Sequence, residues 1–203
     1  MKRRKEDHDY HGKRFYMITL AVEGRHPILG HLESRNEHTY MVLSPLGEAI
    51  QKERMHISSI YPQIAVIALQ VMPDHLHSIL YVREHTDFHL GQVIKGFKLG
   101  CNRELRRSIM VAMESQSTSD GKKTENTSGE KASKGEVEAL IEEQTTGCNI
   151  TKGMPLSLYA TISSQHNDKA TLWEQGYNDR ILHNYNTLEK WKKYLRENVH
   201  GIK

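Results

Sequence analysis

The residues from Ile64 to Val82 constrain the fold most, because they predict two neighbouring strands joined by a very short turn. Ile64 to Met72 is an almost unbroken apolar run, which is typical of a strand covered on both faces and therefore placed in the middle of a sheet. Pro73 and Asp74 are turn residues, and His75 to Val82 then predicts the returning strand. A sheet with this pair of strands at its centre is the starting point for the fold.

The returning strand carries two histidines at alternate positions. Successive side chains of a strand point to opposite faces, so His75 and His77 project from the same face. Two neutral imidazoles side by side form half of a site for a divalent cation. A chain with 13 histidines can also carry such a pair on a half-exposed sheet without any metal. The spacing alone leaves both interpretations open.

A second candidate feature is an amphipathic helix from Asn186 to Val199. Its apolar residues recur at helical spacing, and Asn186 with Glu189 predicts a capping box at its start. Tyr194 and Asn198 stand one turn apart and therefore face the same way. A phenol hydroxyl and an amide oxygen could thus be presented together to a metal held by the histidine pair. Burial of the tyrosine ring in the core is the alternative explanation.

The remaining elements complete an α+β pattern. The order of strand, helix, strand, strand, helix and strand is typical of the ferredoxin-like split βαβ fold, an antiparallel sheet with helices packed on one face. Because that fold hosts many functions, the function must be argued from the site. The other predicted elements are a strand from Phe15 to Gly24, a short strand pair at His26 to His31 and Thr39 to Leu43, a helix from Ser44 to Ile60, a helix from Leu90 to Leu105, and strand-like sequence from Thr171 to His183.

The composition changes sharply between Glu114 and Ile150, where Ser, Thr, Lys, Glu and Gly dominate. Such a stretch cannot bury enough apolar surface to offset the entropy lost on ordering it. We therefore divide the chain into a basic N-terminal arm (1–14), one domain formed by 15–108 and 171–203, and a polar, partly flexible insertion (109–170).

Charge and hydropathy exclude some classes of protein. The net charge of +3 is mildly basic, which permits nucleic-acid binding without predicting it. Cys101 and Cys148 form no paired zinc or disulfide motif. The sequence contains no apolar run long enough to cross a bilayer, and it begins with Met1 to Lys5, which is basic where a signal peptide would soon become apolar. We expect a cytoplasmic protein that does not contact a membrane.

Four separated motifs give the chain a family resemblance. They are Met72 to His77 (MPDHLH), His89 to Lys98 (HLGQVIKGFK), Leu172 to Leu182 (LWEQGYNDRIL) and Tyr194 to Asn198 (YLREN). In order and spacing they resemble the single-strand HUH tyrosine transposases, above all the REP-associated branch. The chain departs from that family in its long polar insertion, and Val199 stands where the family usually has a proline.

The resemblance implies a transposase-like endonuclease and strand transferase that cleaves and rejoins single-stranded, hairpin-containing DNA. It implies Tyr194 as the nucleophile that forms a 5′-phosphotyrosine intermediate. It also implies a divalent ion, Mg or Mn, held by His75, His77 and Asn198, although related branches use other amide or carboxylate donors in place of the asparagine. Relatives act either alone or as homodimers, so the resemblance leaves the oligomeric state open. The basic side chains expected to bind DNA are Lys95, Lys98, Arg106 and Arg180.

The sequence leaves alternatives for both the nucleophile and the activity. Tyr177 is a competing nucleophile, although it lacks a companion ligand one turn away, and Trp173 is expected to pack in the core. A non-catalytic nucleic-acid-binding module on the same fold would carry a similar surface. A metal-dependent phosphodiesterase would use water as the nucleophile and form no covalent adduct.

Overall fold

The computed structural model describes residues 8–36, 38–117 and 171–197. Within these ranges the chain forms a four-stranded sheet, a separate two-stranded hairpin and helices that cover the sheet. Among the described helices, none combines the length and the apolar character needed to cross a bilayer. The elements are β1 (Arg14–Ala21), β2 (Gly30–Arg35), β3 (His38–Leu43), α1 (Pro45–Met55), α2 (Ile57–Ile60), β4 (Ile64–Met72), β5 (His75–Val82), α3 (Leu90–Ser117), β6 (Asn178–Leu182) and α4 (Tyr185–Glu197).

The main sheet has the strand order β4-β5-β1-β6, and every neighbouring pair is antiparallel. Strands β1 and β4 therefore run in the same direction with β5 between them, which is the split βαβ arrangement. The predicted α+β fold with an antiparallel sheet is confirmed. The hairpin of β2 and β3 is inserted between β1 and α1, and it forms a sheet of its own.

One face of the main sheet is covered by α1 and α3. Alternate side chains of the two central strands point to this face, including Ile18 of β1 and Leu80 of β5, and both are fully buried. Helix α1 begins where the sequence predicts, because the Ser44 hydroxyl accepts a hydrogen bond from the Gly47 backbone N–H at 3.0 Å. The side chains that join this layer from the helices include Leu46, Ile50, Val93, Ile94, Phe97, Cys101 and Leu105.

The opposite face of the sheet is covered by α4. The expected placement of the helices on one face holds for α1 and α3, and α4 lies on the other side. The physical reason is that the central strands are apolar on both faces, so Met17 and Ile79 must also be shielded from water. Leu188 and Leu195 of α4 provide it, together with Leu182 at the end of β6. Helix α4 thus lies on the face from which His75 and His77 project.

The start of α4 differs from the prediction. Asn184 caps the helix, because its side-chain oxygen accepts a hydrogen bond from the Thr187 backbone N–H at 2.8 Å. The predicted capping box of Asn186 and Glu189 was wrong. Glu189 instead pairs with Lys192 at 2.9 Å, one turn further along the helix.

Other boundaries also differ from the predictions. Helix α3 continues to Ser117, so the segment assigned to the insertion begins as helix. The rest of that insertion, 118–170, lies outside the described residues. The N-terminal arm is packed against the domain from His8 onward, since the buried Tyr10 donates a hydrogen bond from its hydroxyl to Asp179 at 2.7 Å. Strand β6 is shorter than the predicted strand-like segment.

The packing of α4 leads to a stability prediction. Leu188 is 5% exposed and belongs to the small cluster beneath α4. We expect Leu188→Ala to lower the free energy of unfolding by roughly 2 to 4 kcal/mol, because it removes buried methyl groups and leaves a cavity. Denaturant unfolding measures this change. The control is Tyr185→Ala on the same helix, where the side chain is 72% exposed and the loss should stay below about 0.5 kcal/mol.

Candidate active site

The histidine pair lies on β5, one strand in from the sheet edge formed by β4. Strand alternation brings both rings to the α4 face, as the sequence predicts. The Nε2 atoms of His75 and His77 approach each other to 3.2 Å. His77 is buried, and His75 keeps 20% of its side-chain surface exposed. The two rings therefore converge on one point that solvent reaches from the His75 side.

Each ring is held through its other nitrogen. Asp74 accepts a hydrogen bond from His75 Nδ1 at 2.6 Å, and the Thr19 hydroxyl is hydrogen-bonded to His77 Nδ1 at 2.9 Å. Metal-binding histidines usually have such a partner on the nitrogen that does not ligate, and this partner fixes the orientation of the ring. The two Nε2 atoms are thus the ones presented for binding.

The separation of the Nε2 atoms fits a shared divalent ion. Two nitrogens that each lie about 2.1 Å from an ion, at ligand angles between octahedral and tetrahedral, are roughly 3.0 to 3.4 Å apart. The observed separation of 3.2 Å falls inside that interval. No third His, Cys, Asp or Glu side chain joins the pair within the described ranges. Asn198, the expected third ligand, lies outside the described residues.

The electrostatic surroundings keep His77 neutral. Burial lowers the pKa of His77 to about 4, and the neighbouring His75 and Arg25 act in the same direction. Burial alone would raise the pKa of Asp74, but its hydrogen bonds and charge interactions with His75 and Arg25 outweigh this and lower it. At neutral pH His77 is therefore neutral, and it lies beside the His75 ring, which is hydrogen-bonded to the Asp74 carboxylate. This arrangement suits metal ligation.

Tyr194 stands next to this pair. Its ring centroid lies 5.9 Å from that of His77, and it forms an edge-to-face contact with Trp191 at a centroid distance of 5.1 Å. The side chain is 42% exposed, so a ligand can reach the phenol. The structure thus brings together three of the residues that the sequence singles out, His75, His77 and Tyr194.

Tyr177, the competing nucleophile, occupies a different place. It is 6% exposed and belongs to the core on the α3 side of the sheet. The sheet itself lies between this core and the histidine pair. Trp173 is buried in the same core, as predicted. Of these two tyrosines, Tyr194 is the one that lies beside the histidine pair.

The basic residues expected at the DNA are divided between the two faces. Lys95 and Arg106 are exposed on α3, across the sheet from the histidines. The Lys98 ammonium donates hydrogen bonds to the backbone carbonyls of Glu174, at 2.8 Å, and of Gly176. That arrangement favours a role in holding the loop before β6. Arg180 lies on the histidine face, where its guanidinium carbon is 4.9 Å from the Trp191 ring centroid.

The environment of Lys98 leads to a second prediction. We expect Lys98→Met to lower the free energy of unfolding by about 1 to 2 kcal/mol, because two loop carbonyls lose a charged donor. We expect the affinity for single-stranded DNA to change less than about threefold, because the Lys98 ammonium is already hydrogen-bonded to the carbonyls of Glu174 and Gly176. Thermal unfolding and a fluorescence binding titration measure the two effects. Lys95→Met is the matched control on the exposed side of the same helix. A Lys98→Met variant that unfolds like wild type but binds DNA more than about threefold more weakly would contradict the assignment.

Two residues of the site were not found from the sequence. Thr19 lies on β1 directly opposite His77 in the strand register, and Trp191 packs between Arg180 and Tyr194. Helical spacing places Trp191 three residues before Tyr194, so that contact could have been predicted. The contact of Thr19 with His77 depends on a register between strands 58 positions apart, which spacing within one segment does not reveal.

Comparisons with known proteins give the following similarities. No protein-family model matches the chain. A protein of Haemophilus influenzae strain Rd, described only as uncharacterized, is 22% identical over 128 residues, which span 53% of this chain and 69% of that protein. Two solved structures align with nearly the whole chain.

The first of these structures is a candidate transposase from Deinococcus radiodurans, with 15% identity, a TM-score of 0.43, and coverage of 98% of this chain and all of the other. The second is a REP-associated tyrosine transposase bound to a REP hairpin, with 12% identity, a TM-score of 0.46, and coverage of 96% of this chain and 72% of the other.

Proposed function

We propose that the chain is a transposase-like enzyme that cleaves and rejoins single-stranded, hairpin-containing DNA through a covalent tyrosine intermediate. The observation that carries the proposal is the position of Tyr194 beside a convergent histidine pair, with ring centroids of Tyr194 and His77 5.9 Å apart. A nucleophile next to a preorganised cation site is the arrangement that phosphoryl transfer requires. The four motifs that resemble single-strand tyrosine transposases point to DNA as the substrate.

The reaction assigned to Tyr194 is a transesterification. Its phenol oxygen attacks the scissile phosphorus, the bond between phosphorus and the 3′ oxygen breaks, and the phenol proton is transferred to that oxygen through solvent. The products are a 5′-phosphotyrosine and a free 3′-OH, so the number of phosphate ester bonds is unchanged. The step is therefore reversible, and a 3′-OH can rejoin the strand without an external source of energy.

The residues around Tyr194 orient and neutralise the substrate. His75 and His77, with Asn198 as the proposed third ligand, would hold Mg or Mn. The chemistry that such an ion supplies is polarisation of the scissile phosphate and stabilisation of the charge that develops on it. Arg180 is exposed on the same face and would neutralise a neighbouring phosphate. Trp191 packs against the nucleophile's ring and limits its motion.

The decisive experiment incubates the purified chain with radiolabelled single-stranded hairpin oligonucleotides and Mn²⁺, followed by denaturing electrophoresis. We expect a labelled band that migrates with the protein, and we expect EDTA to abolish it. Mass spectrometry of the digested adduct should locate the nucleotide on Tyr194. A matched oligonucleotide in fully duplex form serves as the substrate control.

The other outcomes identify the rival activities. Cleavage that depends on Mn²⁺ but leaves no protein adduct would show a phosphodiesterase that uses water. Hairpin binding that is unaffected by EDTA, without cleavage of any oligonucleotide, would show a nucleic-acid-binding module. Either result would overturn the tyrosine mechanism.

A further inference from the structure

We propose that Thr19 is a positioning residue for His77, and that its hydroxyl serves both tautomers of the ring as the histidine pair takes up a metal ion. The inference rests on the proposed function, because it concerns the same histidine pair. It assigns a role to a side chain that neither the motifs nor the spacing indicate.

The contact between Thr19 and His77 is held by two rigid parts of the sheet. Thr19 lies on β1, which is flanked on both sides by strands β5 and β6, and it is paired directly with His77. A threonine in a strand has few accessible rotamers because its β-carbon is branched. Its Oγ1 is 2.9 Å from His77 Nδ1. A fixed hydroxyl on a central strand therefore sets the direction in which the opposite nitrogen of the ring points.

Hydrogen bonds connect Asp74, His75, His77 and Thr19 in a chain. The carboxylate of Asp74 can only accept, so in the neutral form of His75 the proton is on Nδ1 and Nε2 carries a lone pair. His75 Nε2 and His77 Nε2 are 3.2 Å apart, and without a cation one of these two nitrogens must donate. His77 Nε2–H is then the donor, and its Nδ1 accepts from the Thr19 hydroxyl.

Metal binding requires the other tautomer of His77. A ligating His77 must present the lone pair of Nε2, so its ring proton has to be on Nδ1. The Nε2 proton leaves to solvent and Nδ1 takes one up, so the ring remains neutral. Nδ1–H then donates to Thr19 Oγ1, which accepts. A hydroxyl can donate in one state and accept in the other, whereas a carboxylate or an amide N–H could serve only one of them.

The test compares Thr19→Val with Thr19→Ser. Valine keeps the branched shape that strands favour and removes the hydroxyl, while serine keeps the hydroxyl. The matched control is Thr39→Val, which removes a strand hydroxyl on the separate hairpin. Two readouts are used, namely the affinity for Zn²⁺ alone by calorimetry, with His77→Ala identifying the contribution of the pair, and ring-nitrogen NMR of His77 with and without Zn²⁺.

We expect His77 in the wild-type protein to change from the Nε2–H to the Nδ1–H tautomer when Zn²⁺ is added. Thr19→Val should bind Zn²⁺ at the pair about tenfold more weakly, because the buried Nδ1–H is left without an acceptor. Thr19→Ser and Thr39→Val should remain within about threefold of wild type. Equal affinity of Thr19→Val and wild type, or one unchanged tautomer throughout, would overturn the inference.

The proposed function and this inference fail in different ways. If wild type binds no Zn²⁺ at the pair, the metal site of the proposed function is overturned. The metal-free spectra still decide the role of Thr19, because the loss of its donated hydrogen bond must shift the Nδ1 resonance of His77. An identical His77 spectrum in Thr19→Val and wild type would exclude positioning by Thr19, even with an active enzyme.

Discussion

Tyr194→Phe should abolish the covalent protein–DNA adduct and reduce strand cleavage and rejoining at least about 10³-fold, because a nucleophile that attacks only through its oxygen has no substitute. The phenylalanine ring preserves the packing of Tyr194 against His77 and Trp191. We therefore expect hairpin affinity to stay within about threefold and the free energy of unfolding to change by less than about 1 kcal/mol. Denaturing electrophoresis, a binding titration and denaturant unfolding measure the three quantities.

The matched control for this substitution is Tyr185→Phe. Tyr185 lies on the same helix and is 72% exposed, so removal of its hydroxyl should leave the adduct intact. An adduct that persists in Tyr194→Phe would move the nucleophile to another side chain. Loss of the adduct in both variants would indicate a general disturbance of α4.

His77→Ala is expected to have the second large effect. It removes one of the two convergent nitrogens, so Mn²⁺ affinity at the site and the rate of adduct formation should each fall by about 10² to 10⁴. Electron paramagnetic resonance of Mn²⁺ measures the binding, and the labelled oligonucleotide assay measures the rate. Because His77 is buried, unfolding must be measured as well, and we expect a loss of about 1 to 2 kcal/mol.

The control for His77→Ala is His31→Ala on the separate hairpin. His31 belongs to β2, which among the described strands pairs with β3 alone, so its loss should not affect Mn²⁺ binding at the histidine pair. Addition of imidazole to His77→Ala should partly restore adduct formation if the ring acts only as a ligand. Unchanged activity in His77→Ala with an intact fold would exclude the histidine pair from the reaction.

The centre of the fold could be predicted from local pattern alone. The apolar run of β4, the turn at Pro73 and Asp74, and the alternation along β5 determine a hairpin. The same alternation determines that His75 and His77 share a face. These features depend on residues close in sequence, which is why the sequence is sufficient for them.

The placement of the helices could not be derived in the same way. An amphipathic pattern shows that α4 has an apolar side, but it does not show which face of the sheet that side covers. The answer depends on Met17 and Ile79, whose strands already bury their other face beneath α1 and α3. The helical pattern therefore predicted α4 and its apolar side, whereas the expected position of its tyrosine beside the histidine pair came from the family resemblance.

The basic pattern of α3 shows the same limit. Lys95 and Lys98 are three residues apart and would be treated alike in any count of charges. In the structure Lys95 is exposed, while Lys98 binds carbonyls of the loop before β6. That contact joins residues 76 positions apart, so it depends on tertiary packing that charge patterning does not contain.

The attachment of α4 has a consequence for motion. Its buried side chains belong to a cluster separate from the large core beneath α1 and α3. Regions held by few buried contacts open at a lower free energy than the whole domain unfolds. We therefore expect the segment that carries Tyr194 to open at a lower free energy than the strand that carries the histidines. Amide hydrogens of α4 should then exchange with solvent well before those of β1 and β5, and the proposed nucleophile would leave and re-enter its site within one native fold.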